Sequence, residues 1–321
     1  MTIRHNKAAE VRGFGTIALL QSTIILHTKD PPSTPQRTSM SFPNQDKRGA
    51  AFRLCRRLAF KLVRRNCRKY SGIVIALFIG HWRVERWRLR LIRVSYLYFR
   101  FLDDVVDGDL AGPIAPRILL DEQMSRWRSG FSRRPTEHET NVLFYYLWNE
   151  FEQRTLPLTR LRFLGESVIK GIELDLERCV NRRVLTRAEL EAYYRNVILA
   201  PAQLAHTILN ATTTVAALQE ISVIIGRLQS ARDLHTDWGR GLINIPLEDL
   251  GDANDAVQLT LPRRFESWRT QEIDQCTNRL RAIWRKWCML ADDRSRLVMR
   301  PVVESLLKWT VKHARDSRTF T

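Results

Sequence analysis

Two pairs of aspartates, each with a spacing of four residues, constrain this chain more than any other feature. Asp103 and Asp107 form the first pair, in YFRFLDDVVDGD, and Asp233 and Asp237 form the second, in ARDLHTDWGRGLINIP. On an α-helix, side chains four residues apart lie on the same face, one turn from each other. Two such helices facing each other would gather at least four carboxylates, which repel one another unless cations lie between them. The spacing therefore predicts facing helices around a cation site.

The residues beside the two pairs indicate the chemistry of this site. Hard carboxylate oxygens suit Mg²⁺, which keeps several waters and completes its shell with substrate phosphate oxygens. Arg100 lies one helical turn before the first pair, and Arg232 directly precedes the second. A guanidinium group binds phosphate in a bidentate manner. Apolar and aromatic residues surround the first pair, so we expect an enzyme that handles an isoprenoid diphosphate.

A single aspartate pair is more often a hydrated helix face than a metal site. Here the combination of arginine and aspartates occurs twice, and the first pair lies among apolar residues. Both observations favour the functional interpretation.

The order of these motifs resembles the squalene/phytoene synthase family, the head-to-head prenyl transferases. Residues 100–107 match the R-x-x-D-D-x-x-D motif of the family, and residues 232–246 resemble its second motif, R-D-x-x-x-D followed by a Gly/Arg turn and a Leu-Pro. Between them, GIELDLERCVNRRVLTRAELEAYYRNV resembles the family segment that leads into a tyrosine-rich helix. The resemblance covers roughly residues 70–310.

The resemblance implies an all-α protein with the fold of the class I isoprenoid synthases, a single-domain helical bundle around a central apolar cavity. It implies Mg²⁺ and the substrates farnesyl or geranylgeranyl diphosphate, condensed head to head with release of diphosphate. The expected metal ligands are Asp103, Asp104, Asp107, Gln229, Asp233 and Asp237. The expected catalytic residues are Arg100, Tyr193, Tyr194 and Arg232. The expected substrate-binding residues are Ser71, Tyr98, Phe99, Asp175 and His235.

The chain departs from the family pattern at several positions. Residues 197–201 read VILAP where the family has Val-Ala-Gly and another small residue, and Gln229 replaces an asparagine. Asn244 stands where a tyrosine usually precedes Leu-Pro. The altered segment favours an alternative, a terpene synthase that ionises a single isoprenoid diphosphate and cyclises or quenches it. A second alternative is a non-catalytic relative that acts as a scaffold. The sequence leaves NADPH use undecided.

Hydrophobic periodicity also predicts helices. Of the residues, 44% are hydrophobic, hairpin signals are few, and Leu161, Leu164, Val168 and Ile172 recur at helical spacing. Residues 1–45 include a segment rich in Pro, Ser and Thr, which predicts a flexible basic N-terminal extension or linker. We therefore expect the helical domain at residues 46–321.

The positive charge is concentrated near the N-terminus. The net charge is +18, and residues 1–100 hold 21 Lys and Arg against 4 Asp and Glu. Because the basic residues alternate with apolar ones, we expect contact with an anionic membrane surface rather than with nucleic acid. The five cysteines form no CxxC motif, so we expect reduced thiols and a cytoplasmic protein that is peripheral on a membrane.

Overall fold

The described part of the chain is built from helices alone. The computed structural model describes residues 53–54, 57, 84–110, 114–130, 139–212, 215–251 and 261–318. No strand occurs among these residues. The α-helices are α1 (Arg86–Val106), α2 (Pro116–Ser129), α3 (Glu139–Gln153), α4 (Leu158–Asn181), α5 (Arg187–Tyr194), α6 (Ala200–Leu209), α7 (Val215–Gly239), α8 (Leu247–Leu250), α9 (Phe265–Leu290) and α10 (Asp293–Arg318), and a π-helical turn, π1 (Arg195–Leu199), joins α5 to α6. The prediction of an all-α protein is confirmed.

Two apolar clusters hold the helices together. The first lies among α1, α2, α3, α4 and α6 and contains an aromatic group centred on Trp127, whose ring stacks on Phe99 at a centroid distance of 5.8 Å. The second lies among α7, α9 and α10 and contains Ile225, Leu228 and Leu280. α1 and α4 thus share the first cluster, while α7 belongs to the second. The aspartates predicted to form the site are distributed over these three helices, α1, α4 and α7.

Two ion pairs fix the direction of α9 along α7. Arg227 donates from Nε and Nη2 to the two carboxylate oxygens of Glu272, at 2.6 and 2.8 Å. Further along, Arg279 donates to Glu220 at 3.3 Å. Residue numbers rise along α9 as they fall along α7, so the two helices are antiparallel.

The connection from α4 to α5 places the tyrosine pair. Arg182 ends α4 in the left-handed conformation, with φ of 49°. Thr186 then caps α5: its side chain accepts from the backbone N–H of Glu189, while the Glu189 carboxylate accepts from the backbone N–H of Thr186. This reciprocal capping satisfies two of the unpaired N–H groups at the helix start. As a result α5 returns toward α4 and α7 with Tyr193 and Tyr194 in its last turn.

The altered segment at residues 197–201 forms the π-helical turn. Pro201 disfavours a regular α-helix at this point, because its ring would clash with the carbonyl of Val197, four residues earlier. The wider turn resolves this clash: the backbone N–H of Ala200 donates to the carbonyl of Arg195, five residues earlier. Val197 packs against Gly171 of α4, where an added Cβ would come within 2.5 Å of the valine Cγ1. At this contact the small residue is therefore Gly171 on α4, and the larger one is Val197 of the π-helical turn.

Glycines allow two close approaches near the carboxylates. A Cβ on Gly226 of α7 would lie 2.5 Å from the ring of Tyr194, so only glycine lets α5 and α7 pack at this distance. Gly241, with φ of 90°, turns the chain after α7, and a Cβ there would lie 2.8 Å from the carbonyl oxygen of Cys179. This turn brings Arg240 and Asn244 back toward α1 and α4.

Some predictions concern residues outside the described ranges. Ser71 and residues 1–45 lie there, so the role of Ser71 and the boundary between residues 45 and 46 stay predictions. Among the described helices, none combines the length and apolar character needed to cross a bilayer.

Candidate active site

The first aspartate motif lies at the C-terminal end of α1. Arg100 donates to Asp103 Oδ2 at 2.5 Å and also to Asp104 Oδ1, so one guanidinium joins both carboxylates. Asp104 is 1% exposed, whereas Asp103 is partly open to solvent. Asp107 follows one turn after Asp103, as the spacing predicts.

The second motif lies in the last turns of α7. Arg232 donates to both oxygens of its neighbour Asp233, at 2.8 and 2.5 Å. One turn later, Asp237 accepts a hydrogen bond of 2.9 Å from the side-chain amide of Asn244. Gln229 lies one turn before Asp233 and is half-buried.

Arg240 joins the two motifs. It lies in the turn after α7 and donates to Asp107 at 3.3 Å and to Asp109 at 3.2 Å. The end of the first motif therefore meets the turn that follows the second. Burial raises the pKa of Asp107, the positive charges of Arg240 and Arg100 oppose this shift, and the negative charges of Asp109 and Asp104 add to it.

A third acidic group, Asp175 of α4, completes the arrangement. Tyr193 donates to Asp175 Oδ2 at 2.8 Å, and Arg178 Nη1 lies 3.5 Å from Asp175 Oδ1. Burial raises the pKa of Asp175 to about 8, against the lowering effects of Arg178 and Tyr193. The negative charges of Asp103 and Asp107 raise it further.

Arg178 links Asp175 to the second motif. Its side chain is fully buried, and Nη2 donates to the carbonyl of Ile243 at 2.7 Å and to Asn244 Oδ1 at 2.8 Å. Because Asn244 donates in turn to Asp237, a continuous chain of contacts runs from Asp175 to Asp237. Sequence reasoning missed this role of Arg178. The available signal was an arginine one turn after Asp175, on a helix face that is otherwise apolar.

The two tyrosines of α5 have different surroundings. The Tyr193 hydroxyl donates to Asp175, and burial raises its pKa well above the usual range. The Tyr194 hydroxyl donates to Ser230 of α7 at 3.1 Å, and burial raises its pKa to about 12. Both hydroxyls are therefore protonated at neutral pH, and of the two it is Tyr193 that touches the acidic site.

Two predicted substrate contacts lie elsewhere. His235 is 56% exposed and pairs with Glu266 of α9 at 2.7 Å. The helical rotation of 100° per residue turns it away from both Asp233 and Asp237, so its predicted place at the site is wrong. Tyr98 is fully buried in the aromatic cluster, where its hydroxyl donates to Gln123 at 2.9 Å. Phe99 lies on the same helix face as Asp103, one turn earlier, and its role in substrate binding stays a prediction.

Most carboxylates of the two motifs are oriented toward arginines, whereas Asp237 is oriented toward Asn244. Among the described residues, no three side chains of His, Cys, Asp or Glu converge closely enough to hold a metal ion. The donors nevertheless fit Mg²⁺ chemically, since they are hard oxygens on three helices that Arg240 and Arg178 link. Metal binding would require the carboxylates to exchange their arginine partners for the ion.

Comparison with known proteins identifies the family. The model of the family described as squalene/phytoene synthase matches residues 85–313, well over half of the chain. The chain belongs to the squalene/phytoene synthase family. It is thus a member of a family of prenyl transferases of isoprenoid biosynthesis, as the order of the motifs predicts.

Solved structures confirm the fold of this family member. A dehydrosqualene synthase in complex with a ligand is similar, with a TM-score of 0.57 and 13% identity over 82% of this chain and 87% of that one. The squalene synthase HpnC from Alicyclobacillus acidocaldarius has a TM-score of 0.56 and 17% identity over 84% of this chain and 95% of its own. A search of curated proteins found no significant match. The isoprenoid synthase helical fold is confirmed, and the central apolar cavity stays a prediction.

Proposed function

We propose that this family member is an Mg²⁺-dependent prenyl transferase that condenses two isoprenoid diphosphates head to head and releases diphosphate. The observation that carries this proposal is the meeting of both aspartate motifs and Asp175, joined through Arg240 and Arg178. Family membership supports head-to-head prenyl transfer in general. Farnesyl or geranylgeranyl diphosphate is the proposed substrate.

The acidic residues hold the cation in this proposal. Asp103, Asp107, Asp233 and Asp237 are the main ligands, with Asp104 and Gln229 assisting. Bound Mg²⁺ would supply positive charge to the leaving diphosphate. Most of the arginine pairs that now neutralise the carboxylates are partly exposed, so solvent screening lowers the free-energy cost of exchanging them for a metal and diphosphate.

The arginines bind the diphosphate in this scheme. Arg100 and Arg232 each have a guanidinium beside the carboxylates, where fork-shaped donors bind phosphate oxygens bidentately. As the allylic C–O bond breaks, its electron pair leaves with the diphosphate, and these cations stabilise the developing negative charge.

The tyrosines face the organic part of the substrate. The Arg178 guanidinium lies 5.2 Å from the centroid of the Tyr193 ring, an example of the attraction between a cation and an aromatic ring. We assign Tyr193 to stabilisation of the allylic cation, Tyr194 to the packing that holds Tyr193 in place, and Phe99 to the substrate chain. The double bond of the second substrate then attacks the cation and forms a C–C bond, and loss of a proton to the released diphosphate closes the cyclopropane ring that the family resemblance implies.

A terpene synthase is the second candidate. The π-helical turn at Arg195–Leu199 favours it, because bulky Ile198 and Leu199 occupy the positions where the family has alanine and glycine. Less room for a second prenyl chain would limit the enzyme to one substrate. A scaffold role would leave the retained aspartates without a purpose. NADPH, the reductant that squalene formation requires, enters only if the product is squalene.

Replacement of one aspartate in each motif tests the proposal. We expect Asp103→Ala and Asp233→Ala each to lower Mg²⁺-dependent release of diphosphate at least 100-fold, as loss of a charge-stabilising group does, with unchanged circular dichroism. His235→Ala is the matched control on α7, because its side chain points toward Glu266. Full activity of either aspartate variant would disprove the metal assignment.

A further inference from the structure

The corner between α9 and α10 exposes two large apolar side chains next to each other. Met289 is 79% exposed and Leu290 is 74% exposed, at the last two positions of α9. Isolated exposed apolar residues are common on soluble proteins. Here two long, flexible side chains project together from the tip of a helix, the shape of an interfacial anchor.

This corner lies near the start of α7, whereas the carboxylates lie near the end of that helix. The backbone N–H of Thr212, just before α7, donates to Asp292 at 3.0 Å, so the start of α7 and the end of α9 are neighbours. Val215, the first residue of α7, is 47% exposed at the same end. From Val215 to Asp233 the helix rises about 27 Å at 1.5 Å per residue. A surface at this corner can therefore dock without covering the active site.

The corner is strongly basic. Between residues 279 and 300 the chain has seven Lys and Arg but only two acidic residues, both of which follow Leu290. Asp292 is the first of them, and it accepts hydrogen bonds from the backbone of Ser295 and Thr212, which caps α10. Arg285 and Lys286 are exposed within one turn of Met289. The apolar tip is thus surrounded by positive charge.

The start of α1 lies at this end as well. Glu85, which precedes α1, pairs with Arg294 of α10 at 3.6 Å, and Arg294 donates to the carbonyl of Leu209 at the end of α6. The start of α1 is therefore close to the corner between α9 and α10.

We propose that this corner docks on an anionic lipid bilayer, with Met289 and Leu290 inserted among the acyl chains and Arg285 and Lys286 at the headgroups. Insertion removes two large apolar side chains from water, and cations near anionic headgroups add electrostatic attraction. A second copy of the chain fits this surface less well, because two basic corners would repel each other. A nucleic acid would leave the aliphatic side chains in water.

Vesicle binding of the full chain tests this surface. The double variant Met289→Ser, Leu290→Ser and the wild type are sedimented with vesicles of phosphatidylcholine alone or mixed with phosphatidylglycerol, at physiological ionic strength. We expect the double variant to bind the anionic vesicles at least tenfold more weakly, with an unchanged melting temperature because both side chains are exposed. Val180→Ser is the matched control: Val180 is 73% exposed, near the acidic end of α4, and its loss should leave binding unchanged.

Charge reversal separates lipid docking from other causes. Arg285→Glu, Lys286→Glu should weaken binding to anionic vesicles and leave binding to neutral ones unchanged. Equal binding of wild type and Ser double variant would overturn the proposal, as would equal binding of the wild type to both vesicle types. A wild type that is dimeric in solution and becomes monomeric in the Ser double variant would also overturn it, since the corner would then be a contact between copies. None of these readouts depends on catalysis, so a failed proposed function would leave this test intact.

Discussion

At the scale of single residues, arginines neutralise most of the carboxylates in the acidic site. Arg100 holds Asp103 and Asp104, Arg232 holds Asp233, and Arg240 spans Asp107 and Asp109. The pairs on Asp103, Asp107 and Asp233 are partly open to solvent, whereas Asp104 is almost fully buried. We therefore expect the more open carboxylates to move toward a metal first, and the buried Asp104 to assist them.

The placement of each aspartate pair on one helix face could be predicted, because it depends only on the spacing of the two residues in the sequence. The same rotation predicts that His235 points away from Asp233 and Asp237, so the sequence alone could have excluded it. The contact of Arg178 with Asn244 joins residues 66 positions apart, and no local pattern encodes it. It depends on the turn at Gly241, which folds the chain back after α7.

Asp175 gives a prediction of pH dependence. Its pKa in the folded protein is raised to about 8 from an unfolded value of about 3.9. Between these values the folded state binds a proton that the unfolded state lacks, so the free energy of unfolding falls as pH rises through this window. In Asp175→Asn this contribution disappears. We expect the melting temperature of the wild type to decrease more than that of the variant between pH 5 and pH 8, a range chosen within this window.

Calorimetry across this range provides the measurement. Glu177→Gln on the same helix is the control, because Glu177 is exposed and pairs with the surface residue Arg183 at 3.1 Å. If Asp175→Asn and the wild type lost stability in parallel, the raised pKa of Asp175 would be wrong.

At the scale of helices, α7 organises the site. It carries the second motif, receives Tyr194 against Gly226, and packs along α9. Its helical character was evident from the sequence. The π-helical turn was not predicted from the sequence. Its physical reason was nevertheless present there, because Pro201 follows Val197 by four residues and disfavours a regular α-helical turn. A proline can be accommodated by a kink, a break or a wider turn, and packing of Val197 against Gly171 accompanies the wider turn.

The contact between α7 and α9 yields a prediction of stability. Arg227 and Glu272 form a largely buried bidentate pair, while Arg279 and Glu220 are more than half exposed. Arg227→Met leaves Glu272 charged and unpaired in a poorly solvated position, so we expect the free energy of unfolding to fall by about 3 kcal/mol. Arg279→Met should cost less than about 1 kcal/mol. Urea denaturation followed by circular dichroism measures both, and similar costs for the two variants would contradict the assigned role of the buried pair.

At the scale of the whole molecule, the acidic residues and the exposed apolar corner lie at opposite ends of the helices. The fold was predictable from the order of the two motifs, and solved relatives share it at 13–17% identity. Substrate number was not predictable, because the size of the reaction space depends on packing around Val197 and Tyr193. The product of the reaction reports on this space directly.

Product analysis tests the central claim most directly. The purified full chain is incubated with Mg²⁺ and either farnesyl or geranylgeranyl diphosphate, with and without NADPH, and hydrocarbons are identified by mass spectrometry while released diphosphate is measured by a coupled assay. Head-to-head transfer predicts a C30 product from farnesyl diphosphate or a C40 product from geranylgeranyl diphosphate, with diphosphate release that requires Mg²⁺. A C15 or C20 product would contradict the account and indicate a terpene synthase, and the absence of diphosphate release would indicate a scaffold.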